Sequence, residues 1–277
     1  MNWRDLPPMA LPYAEVIGDP VAHSRSPDIH RHWLAALDIA GDYRTAHVTP
    51  DDLRAYLAHR RQDPYWRGCN VTVPHKEAVY ALLKDRVEAI AKPLGAVNTV
   101  FRNGERLGGT NSDVAGVLSG LDRLSLKGRT AVVVGAGGAA RAVLAALQAR
   151  AVSSVTIMNR TQDKGVKLLT DLGLTGSVRS LTSGVPAAAV LINTSSLGMT
   201  GMPPLDLDLD PLPDDAAVMD IVYAPLETPL LKAARARGLQ TMDGLTMLIG
   251  QARPAFERFF GAPPPDGDDD LRRILTS

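Results

Sequence analysis

Apolar and polar positions in the first third of the chain alternate between the spacing of strands and the spacing of helices. Apolar runs rich in β-type residues predict strands at 14–17, 43–48 and 68–73. Apolar residues at helical spacing predict helices over 29–41, 50–62 and 76–84. Pro27 suits the start of the first helix, and the second has acids in its first turn. This rhythm predicts an α/β layer with parallel strands.

A second unit of the same kind opens near residue 128. The run 131–134 predicts a buried strand, followed by a glycine turn, an Ala- and Leu-rich helix and another strand. Further strands are predicted at 189–196 and 217–223, and residues 245–261 have a helical pattern. The Pro- and Asp-rich tail at 262–270 is expected to be solvated and mobile.

The composition indicates a globular protein that handles small molecules. The 277 residues correspond to about two domains, and 45% hydrophobic residues allow a substantial core. Thirty basic residues balance thirty acidic ones, which excludes the basic excess of a typical nucleic-acid binder. The N-terminal segment lacks the pattern of a secretory signal, and no run reaches the roughly 18 apolar residues of a membrane span. We expect a cytoplasmic protein without nucleic-acid or membrane partners, whose single cysteine, Cys69, is an inert buried thiol.

The glycine turn has the context of a dinucleotide site. Gly135, Gly137 and Ala140 fit the pattern G-x-G-x-x-A directly after a predicted strand and directly before a helix. The first glycine permits the tight turn and the second lets the backbone approach a pyrophosphate. The small third residue allows close packing of helix and strand. A glycine-rich turn without a ligand is the alternative interpretation.

The residues after the second strand of this unit favour NADP over NAD. An NAD enzyme usually places an acid there to accept a hydrogen bond from the ribose 2′-hydroxyl. This chain has Asn159, Arg160 and Thr161 instead, with Lys164 one turn further on. These side chains can hydrogen-bond a 2′-phosphate and balance its charge.

Nine segments carry a resemblance to a known family: IGDPVAHSRSP (17–27), GCNVTVPHKE (68–77), GAVNTV (95–100), TNSDVAGV (110–117), VGAGGAARA (134–142), NRT (159–161), NTSSLGM (193–199), DIVYAPLETPLL (220–231) and DGLTMLIGQARPAFE (243–257). In this order they closely resemble the shikimate dehydrogenases, which use NADP(H) to interconvert 3-dehydroshikimate and shikimate. The resemblance covers about residues 14–261.

The resemblance implies an α/β fold with an N-terminal substrate-binding domain and a Rossmann-type, doubly wound NADP-binding domain. The expected boundaries are 1–112 for the substrate domain, 113–244 for the NADP domain and 245–277 for C-terminal helices that return to the first domain. It also implies a role in aromatic amino acid biosynthesis, with shikimate and 3-dehydroshikimate as the small-molecule partners.

The resemblance further implies residue roles. Lys76 would be the catalytic lysine and Asp113 its partner, while Ser24 and Ser26 would hold the substrate carboxylate. Other substrate contacts would come from Asn70, Thr72, Asn98, Tyr223 and Gln251. Cofactor contacts would come from Gly135, Ala136, Gly137, Gly138, Ala139, Asn159, Arg160, Thr161, Lys164, Ile221 and Gly244.

The chemistry of ketone reduction supports a role for the lysine and the aspartate independently of the family resemblance. Hydride delivered to a ketone leaves an alkoxide, so a group must donate a proton or stabilise the negative charge. An ammonium beside a carboxylate can do both. Taken alone, Lys76 would be an exposed lysine at a helix start, and Asp113 would be an N-cap.

Two positions depart from the family pattern, and the histidines suggest no metal site. Ser112 stands where Thr is usual, and Lys164 stands where a second arginine is common, which keeps the charge but loses bidentate geometry. The six histidines show no metal-ligand spacing, so no metal is expected.

Other functions and assemblies stay open. Relatives acting on quinate or on amino-substituted shikimates share most motifs, although the quinate enzymes tend to carry an acid at the position of Arg160. A non-catalytic NADP-sensing protein on the same fold is a second alternative, and either a monomer or a homodimer fits the sequence.

Overall fold

The computed structural model describes residues 1–276, which fold as two compact units. Unit 1 contains residues 1–112 together with the chain from residue 251 onward, and unit 2 contains residues 113–250. No helix within residues 1–276 combines the length and the apolar character needed to cross a membrane.

Unit 1 is built on a five-stranded sheet. Its strands are Tyr13–Gly18 (β1), Asp42–His47 (β2), Trp66–Val71 (β3), Thr99–Asn103 (β4) and Arg106–Thr110 (β5). Its first helices are Ser26–Ala36 (α1), Leu53–Arg60 (α2) and Lys76–Leu83 (α3), with short 3-10 turns at Trp3–Asp5, Lys84–Arg86 and Ala89–Ala91. The strand order is β2-β1-β3-β4-β5, with β1 parallel to both β2 and β3.

The expectation of an all-parallel layer was wrong for the second half of this sheet. β4 runs antiparallel to β3 and to β5. Asn103 and Arg106 face each other across a two-residue turn in which Gly104 has a φ of 60°. An antiparallel pair needs only such a short connection, and Asn-Gly is a known hairpin signal.

Two predicted element boundaries also differ. β3 ends at Val71 rather than at residue 73, although the N–H of Thr72 still donates to the carbonyl of Ile17 at 2.9 Å. α2 starts at Leu53, so its first turn has no acid. Asp52 precedes the helix because residues 49–52 form a turn, and its carboxylate pairs with Arg4 at 2.7 Å.

A buried ion-pair network lies inside unit 1. Glu15, on β1, is fully buried and accepts hydrogen bonds from Arg44 at 3.0 Å, from Arg60 at 2.9 Å and from the Tyr56 hydroxyl at 2.6 Å. A buried carboxylate requires partners of this kind. Cys69 is buried nearby, as predicted, and burial raises the pKa of its thiol far above the usual value.

Unit 2 is built on a six-stranded parallel sheet. Its strands are Thr130–Val134 (β6), Ser154–Met158 (β7), Gly176–Arg179 (β8), Val190–Asn193 (β9), Ala217–Asp220 (β10) and Gln240–Met242 (β11). Its helices are Asp113–Leu121 (α4), Gly138–Ala149 (α5), Gln162–Leu172 (α6), Pro229–Ala236 (α7) and the part of Gly244–Phe260 (α8) that ends at residue 250. The order β11-β10-β9-β6-β7-β8 confirms the predicted doubly wound, Rossmann-type fold.

The expectation of a mobile tail was wrong for its acidic end. The helix Asp269–Thr276 (α9) begins inside the acidic run, with Asp269 and Asp270 in its first turn, where carboxylates stabilise the N-terminal end of a helix. Leu271 is buried, and Asp268 pairs with Arg253 of α8 at 2.5 Å.

Candidate active site

Four of the residues predicted to bind substrate lie where the strand order of unit 1 reverses. The chain leaves β1 through α1 toward β2 on one side, and β3 lies on the other side of β1. In open α/β sheets a crevice forms at such a point, outside the carboxyl ends of the strands. Ser24 and Ser26 follow β1, and Asn70 and Thr72 stand at the end of β3. The sheet therefore places both pairs at this point.

Asn70 is held by three hydrogen bonds. Its Oδ1 accepts from the Tyr43 hydroxyl at 2.7 Å, and its Nδ2 donates to Thr99 Oγ1 at 3.1 Å and to the carbonyl of Asn98 at 3.4 Å. Only 6% of the residue is exposed. Because a backbone carbonyl only accepts, the side of the amide that faces Asn98 must be the Nδ2 side.

Asn98 extends this network to Ser112, the last residue of the 1–112 segment of unit 1. Its Oδ1 accepts from the N–H of Ser112 at 2.7 Å and from Thr99 Oγ1 at 2.9 Å, while its Nδ2 donates to Ser112 Oγ at 3.0 Å. Ser112 Oγ in turn donates to Gln251 Oε1 at 3.4 Å. The serine that replaces the usual threonine thus uses its hydroxyl, and it joins Asn98 to Gln251.

The two serines after β1 are close to each other. Ser24 Oγ accepts from the N–H of Ser26 at 3.3 Å, and Ser26 is the first residue of α1. Ser26 is buried, whereas Ser24 is half-buried. The N-cap residue, Arg25, makes no capping bond with its side chain, so Ser24 supplies an acceptor for the start of this helix.

The loop between β3 and α3 anchors Lys76 through its backbone. The N–H of His75 donates to the carbonyl of Thr72 at 3.0 Å, and His75 Nε2 lies 2.7 Å from the carbonyl oxygen of Val48. Lys76 begins α3, and its carbonyl accepts from the N–H of Val97 at 3.0 Å. The side chain of Lys76 is half-buried. His75 is buried and serves to fix this loop.

Asp113 is the first residue of α4 in unit 2 and is buried. It directly follows Ser112, whose N–H and hydroxyl are bound by Asn98. Since α4 includes Asp113, the aspartate occupies the first helical position rather than the N-cap position expected from the sequence alone. A carboxylate there interacts favourably with the helix dipole.

The glycine turn of unit 2 leaves space in front of α5. Gly135 has a φ of 102°, and a Cβ there would lie 2.8 Å from Thr194 Oγ1, so only glycine fits. A Cβ at Gly137 or Gly138 would meet no atom within 4 Å. Ala140 is fully buried, as the packing of helix on strand requires. This open helix N-terminus fits the pyrophosphate of a dinucleotide; Ala136 and Ala139, half-buried, belong to the same turn.

The predicted phosphate-binding residues lie at the carboxyl end of β7. Asn159 donates to the carbonyl of Thr161 at 2.7 Å, which holds the turn into α6. Arg160, Thr161 and Lys164 are exposed. Arg179 was missed by the sequence analysis: it ends β8, and its carbonyl accepts from the N–H of Asn159 at 3.1 Å. A basic residue at the end of the adjacent strand carries no local sequence signal, since the strand pairing decides its position.

Three more predicted residues lie near the carboxyl end of β10 and the start of α8. Ile221 and Tyr223 are half-buried and follow β10 directly. A Cβ at Gly244 would lie 2.4 Å from the carbonyl oxygen of Ile221, so the glycine allows α8 to pack closely on this segment. Asp243 caps α8 by accepting from the N–H of Thr246 at 3.1 Å.

A buried carboxylate beside this segment was also missed by the sequence analysis. Asp220 accepts from Asn193 Nδ2 at 2.9 Å, from the N–H of Val222 at 3.0 Å and from the Thr228 hydroxyl at 2.7 Å. Burial raises the pKa of Asp220. The network joins the ends of β9 and β10. It gives Asn193 of the NTSS segment and Asp220 of the DIVY segment a structural role. Within residues 1–276 no group of three or more His, Cys, Asp and Glu side chains is placed to hold a metal.

Comparison with known proteins agrees with this arrangement. The profile of the shikimate dehydrogenase substrate binding domain matches residues 16–100, and the shikimate / quinate 5-dehydrogenase profile matches residues 119–197. The NADP(+) shikimate dehydrogenase of Sphingopyxis alaskensis is 58% identical and covers 98% of this chain and 99% of its own length.

Solved structures share the fold over nearly the whole chain. Shikimate 5-dehydrogenase from Thermus thermophilus, in complex with NADP(H) and shikimate, has a TM-score of 0.84 and 35% identity, and covers 96% of this chain and 100% of its own. Quinate dehydrogenase from Corynebacterium glutamicum, in complex with NAD, also has a TM-score of 0.84, with 31% identity over 96% of this chain and 97% of its own. On the near-full-length identity and both family profiles, the chain belongs to the shikimate dehydrogenase family.

Proposed function

We propose that this protein catalyses the reversible NADPH-dependent reduction of 3-dehydroshikimate to shikimate, in the biosynthesis of aromatic amino acids. The observation that carries the proposal is the buried hydrogen-bond network of Asn70, Asn98, Ser112 and Gln251 in unit 1. Amide and hydroxyl groups that are fixed in this way suit a polyhydroxylated substrate, because preorganised polar groups bind without a further loss of conformational freedom.

The substrate half of the site is assigned to unit 1. Ser24 and Ser26 bind the carboxylate of the substrate, as neighbouring hydroxyl donors at the start of α1. Thr72 and the three amides of Asn70, Asn98 and Gln251 bind the hydroxyl groups. Tyr223 is also assigned as a substrate contact.

The proton is handled by Lys76 with Asp113 as its partner. NADPH, when bound, would supply a hydride for the C3 ketone, and the product oxygen would then need a proton. Lys76 donates that proton from its ammonium group and stabilises the negative charge that develops on the oxygen. Asp113 orients the amino group of Lys76. In the oxidative direction Lys76 accepts the proton from the C3 hydroxyl.

The cofactor half of the site is assigned to unit 2. The pyrophosphate binds at the N-terminus of α5, where the positions of Gly137 and Gly138 are open. Arg160 and Lys164 bind the 2′-phosphate, and both are exposed at the end of β7 or in the first turn of α6. Cofactor contacts are also assigned to Ala136, Ala139, Asn159, Thr161, Ile221 and Gly244.

Oxidation of quinate is the nearest competing activity, because a quinate dehydrogenase shares the fold to the same TM-score as the shikimate enzyme. Arg160 favours NADP and argues against the acid typical of NAD-dependent quinate enzymes. Turnover of amino-substituted shikimates is tested in the same way. A purely NADP-sensing role would leave the lysine and aspartate without a function.

A spectrophotometric assay tests the proposal. The formation of reduced cofactor is measured with shikimate, quinate or aminoshikimate, each with NADP and with NAD. We expect the highest kcat/KM for the pair of shikimate and NADP. A higher value for quinate with NAD would contradict the proposal, and binding of NADP without turnover of any polyol would favour the sensing role. Size-exclusion chromatography with light scattering distinguishes a monomer from a homodimer.

A further inference from the structure

Tyr43 contacts Asn70, one of the proposed substrate residues, but was not predicted as part of the site. It stands on β2 and is fully buried. Its hydroxyl donates to Asn70 Oδ1 at 2.7 Å. Burial raises the pKa of Tyr43 well above its usual value, so the phenol stays a hydrogen-bond donor. The phenol hydroxyl thus links β2 to the end of β3.

The bond from Tyr43 determines what Asn70 can offer to a ligand. Both hydrogens of Nδ2 are used by Thr99 and by the carbonyl of Asn98. Oδ1 receives one hydrogen bond from Tyr43 and has one remaining acceptor site. Asn70 can therefore act toward a substrate only as an acceptor, which selects a hydroxyl that donates. Without the phenol, Oδ1 would lose the contact that fixes its direction.

The ring of Tyr43 is itself fixed by stacking. His30 of α1 lies parallel to it, with ring centroids 4.0 Å apart and an interplanar angle of 7°. Trp33, Phe256 and Phe259 surround the imidazole at 5.8 to 6.1 Å. His30 is fully buried, and neither ring nitrogen has a hydrogen-bond partner among the described residues. Its contribution here is therefore the flat face that it packs against Tyr43, rather than a hydrogen bond.

We infer that Tyr43 is a positioning residue for substrate binding: held by the face of His30, its hydroxyl orients Asn70 toward the substrate. The inference rests on the proposed function, since it requires that Asn70 contacts shikimate. The inference predicts that a change at Tyr43 affects substrate affinity more than turnover. The hydrogen bond and the ring contact described above join Tyr43 to Asn70 and His30, and neither of these is the proposed proton donor or a cofactor residue.

The first test is Tyr43→Phe, which removes the hydroxyl and keeps the ring. We expect KM for shikimate, and the Kd of shikimate measured by calorimetry, to rise about three- to tenfold. This rise corresponds to the loss of one oriented hydrogen bond. The kcat and the KM for NADP should stay within about twofold of wild type. The matched control is Tyr56→Phe, which removes another fully buried phenol hydroxyl of unit 1, bound to Glu15 instead of a substrate residue. It should lower Tm at least as much and leave KM for shikimate unchanged.

The second test separates the stacked ring from the histidine chemistry. His30→Phe keeps an aromatic face and should keep the wild-type KM, whereas His30→Ala should raise KM and lower Tm. If His30→Phe raised KM as much as Tyr43→Phe, the stacking role of His30 would be wrong.

The outcomes distinguish this inference from the function on which it rests. An active wild-type enzyme whose Tyr43→Phe variant keeps its KM and Kd for shikimate overturns the positioning role alone. An equal rise in KM for Tyr43→Phe and Tyr56→Phe also overturns it, because general loosening of unit 1 would then be the cause. A wild-type protein that neither binds nor oxidises shikimate overturns the proposed function and this inference together.

Discussion

The backbone N–H of Val97 donates to the carbonyl oxygen of Lys76 across 3.0 Å. This bond joins the first turn of α3 to the loop before β4, one residue ahead of Asn98. The lysine is therefore anchored to the sheet of unit 1 by its main chain, and substitutions of its side chain leave that anchor in place. Kinetic changes at this position can accordingly be attributed to the lost ammonium group.

Replacement of Lys76 tests the assignment of the proton donor. Lys76→Ala should reduce kcat by roughly 10²–10⁴, because a positioned acid acts mainly in the transition state. The Kd values of shikimate and NADP should change much less. Lys76→Met should be nearly as slow, and Lys92→Ala, which removes an exposed lysine of the same unit, should match wild type. Stopped-flow and steady-state assays measure these rates, and near wild-type turnover of Lys76→Ala would end the assignment.

The partnership of Lys76 with Asp113 is tested by a double-mutant cycle. Asp113→Asn alone should slow turnover. The double variant Lys76→Ala/Asp113→Asn should lose less than the product of the single losses, because groups that act as a unit are not additive. Multiplicative losses in kcat would show that the two residues act independently.

Charge reversal at Arg160 tests cofactor selection. Arg160→Asp removes the proposed charged partner of the 2′-phosphate, which is worth about 1.5–3 kcal/mol, or roughly ten- to hundredfold in affinity for NADP. Affinity for NAD should be preserved. Lys167→Asp is the matched control, since this exposed lysine of α6 pairs with Asp171 and lies outside the assigned site. Fluorescence titration measures both cofactors, and equal losses for NADP and NAD would refute the assignment.

Ser26→Ala tests whether a hydroxyl at the start of α1 binds substrate or only supports the helix. Binding of the carboxylate predicts a higher KM for shikimate with a small change in Tm. Thr228→Ala provides the contrast, because Thr228 is a true N-cap that accepts from the N–H of Leu231 at 3.3 Å. Thr228→Ala also removes a hydrogen bond to the buried carboxylate of Asp220, so it should cost at least about 1 kcal/mol of stability and should leave KM for shikimate unchanged. Ser26→Ala with the same stability loss and unaltered kinetics would identify a purely structural serine.

The buried imidazole of His30 predicts a pH-dependent stability. Burial lowers the pKa of His30 to about 3, whereas in the unfolded chain it is about 6.5. Below about pH 6.5 the unfolded state binds the proton and the folded state does not, so protonation destabilises the fold as the pH falls. Relative to His30→Phe, wild type should lose about 1.4 kcal/mol of unfolding free energy per pH unit between about pH 6 and 4. Urea unfolding at several pH values measures the difference, and a constant difference would contradict the prediction.

Local patterns were sufficient for much of the fold and for one half of the candidate site. The glycine turn was recognisable because strand, turn and helix follow one another along the chain, and the space in front of Gly137 matches that interpretation. The hairpin of β4 and β5 carried a signal in Asn103 and Gly104 that went unused. Family motifs supplied the roles of Lys76 and Asp113, which stay predictions.

Contacts between distant segments could not be predicted from spacing. Tyr43 reads as one apolar position of a strand, and only the pairing of β2, β1 and β3 brings it to Asn70. In the same way, nothing near Glu15 in the sequence indicates which arginines pair with its buried carboxylate. Partners of this kind are determined by sheet order and helix packing, which a single sequence does not encode in its local periodicity.

The single cysteine gives unit 1 a built-in reporter. Cys69 is the only thiol of the chain, is fully buried on β3 and has a pKa raised by burial, so thiol reagents can reach it only when the sheet opens. The rate of labelling therefore measures the opening of unit 1 without any engineered probe, and the protection of Cys69 by added shikimate would report ligand binding directly on the native chain.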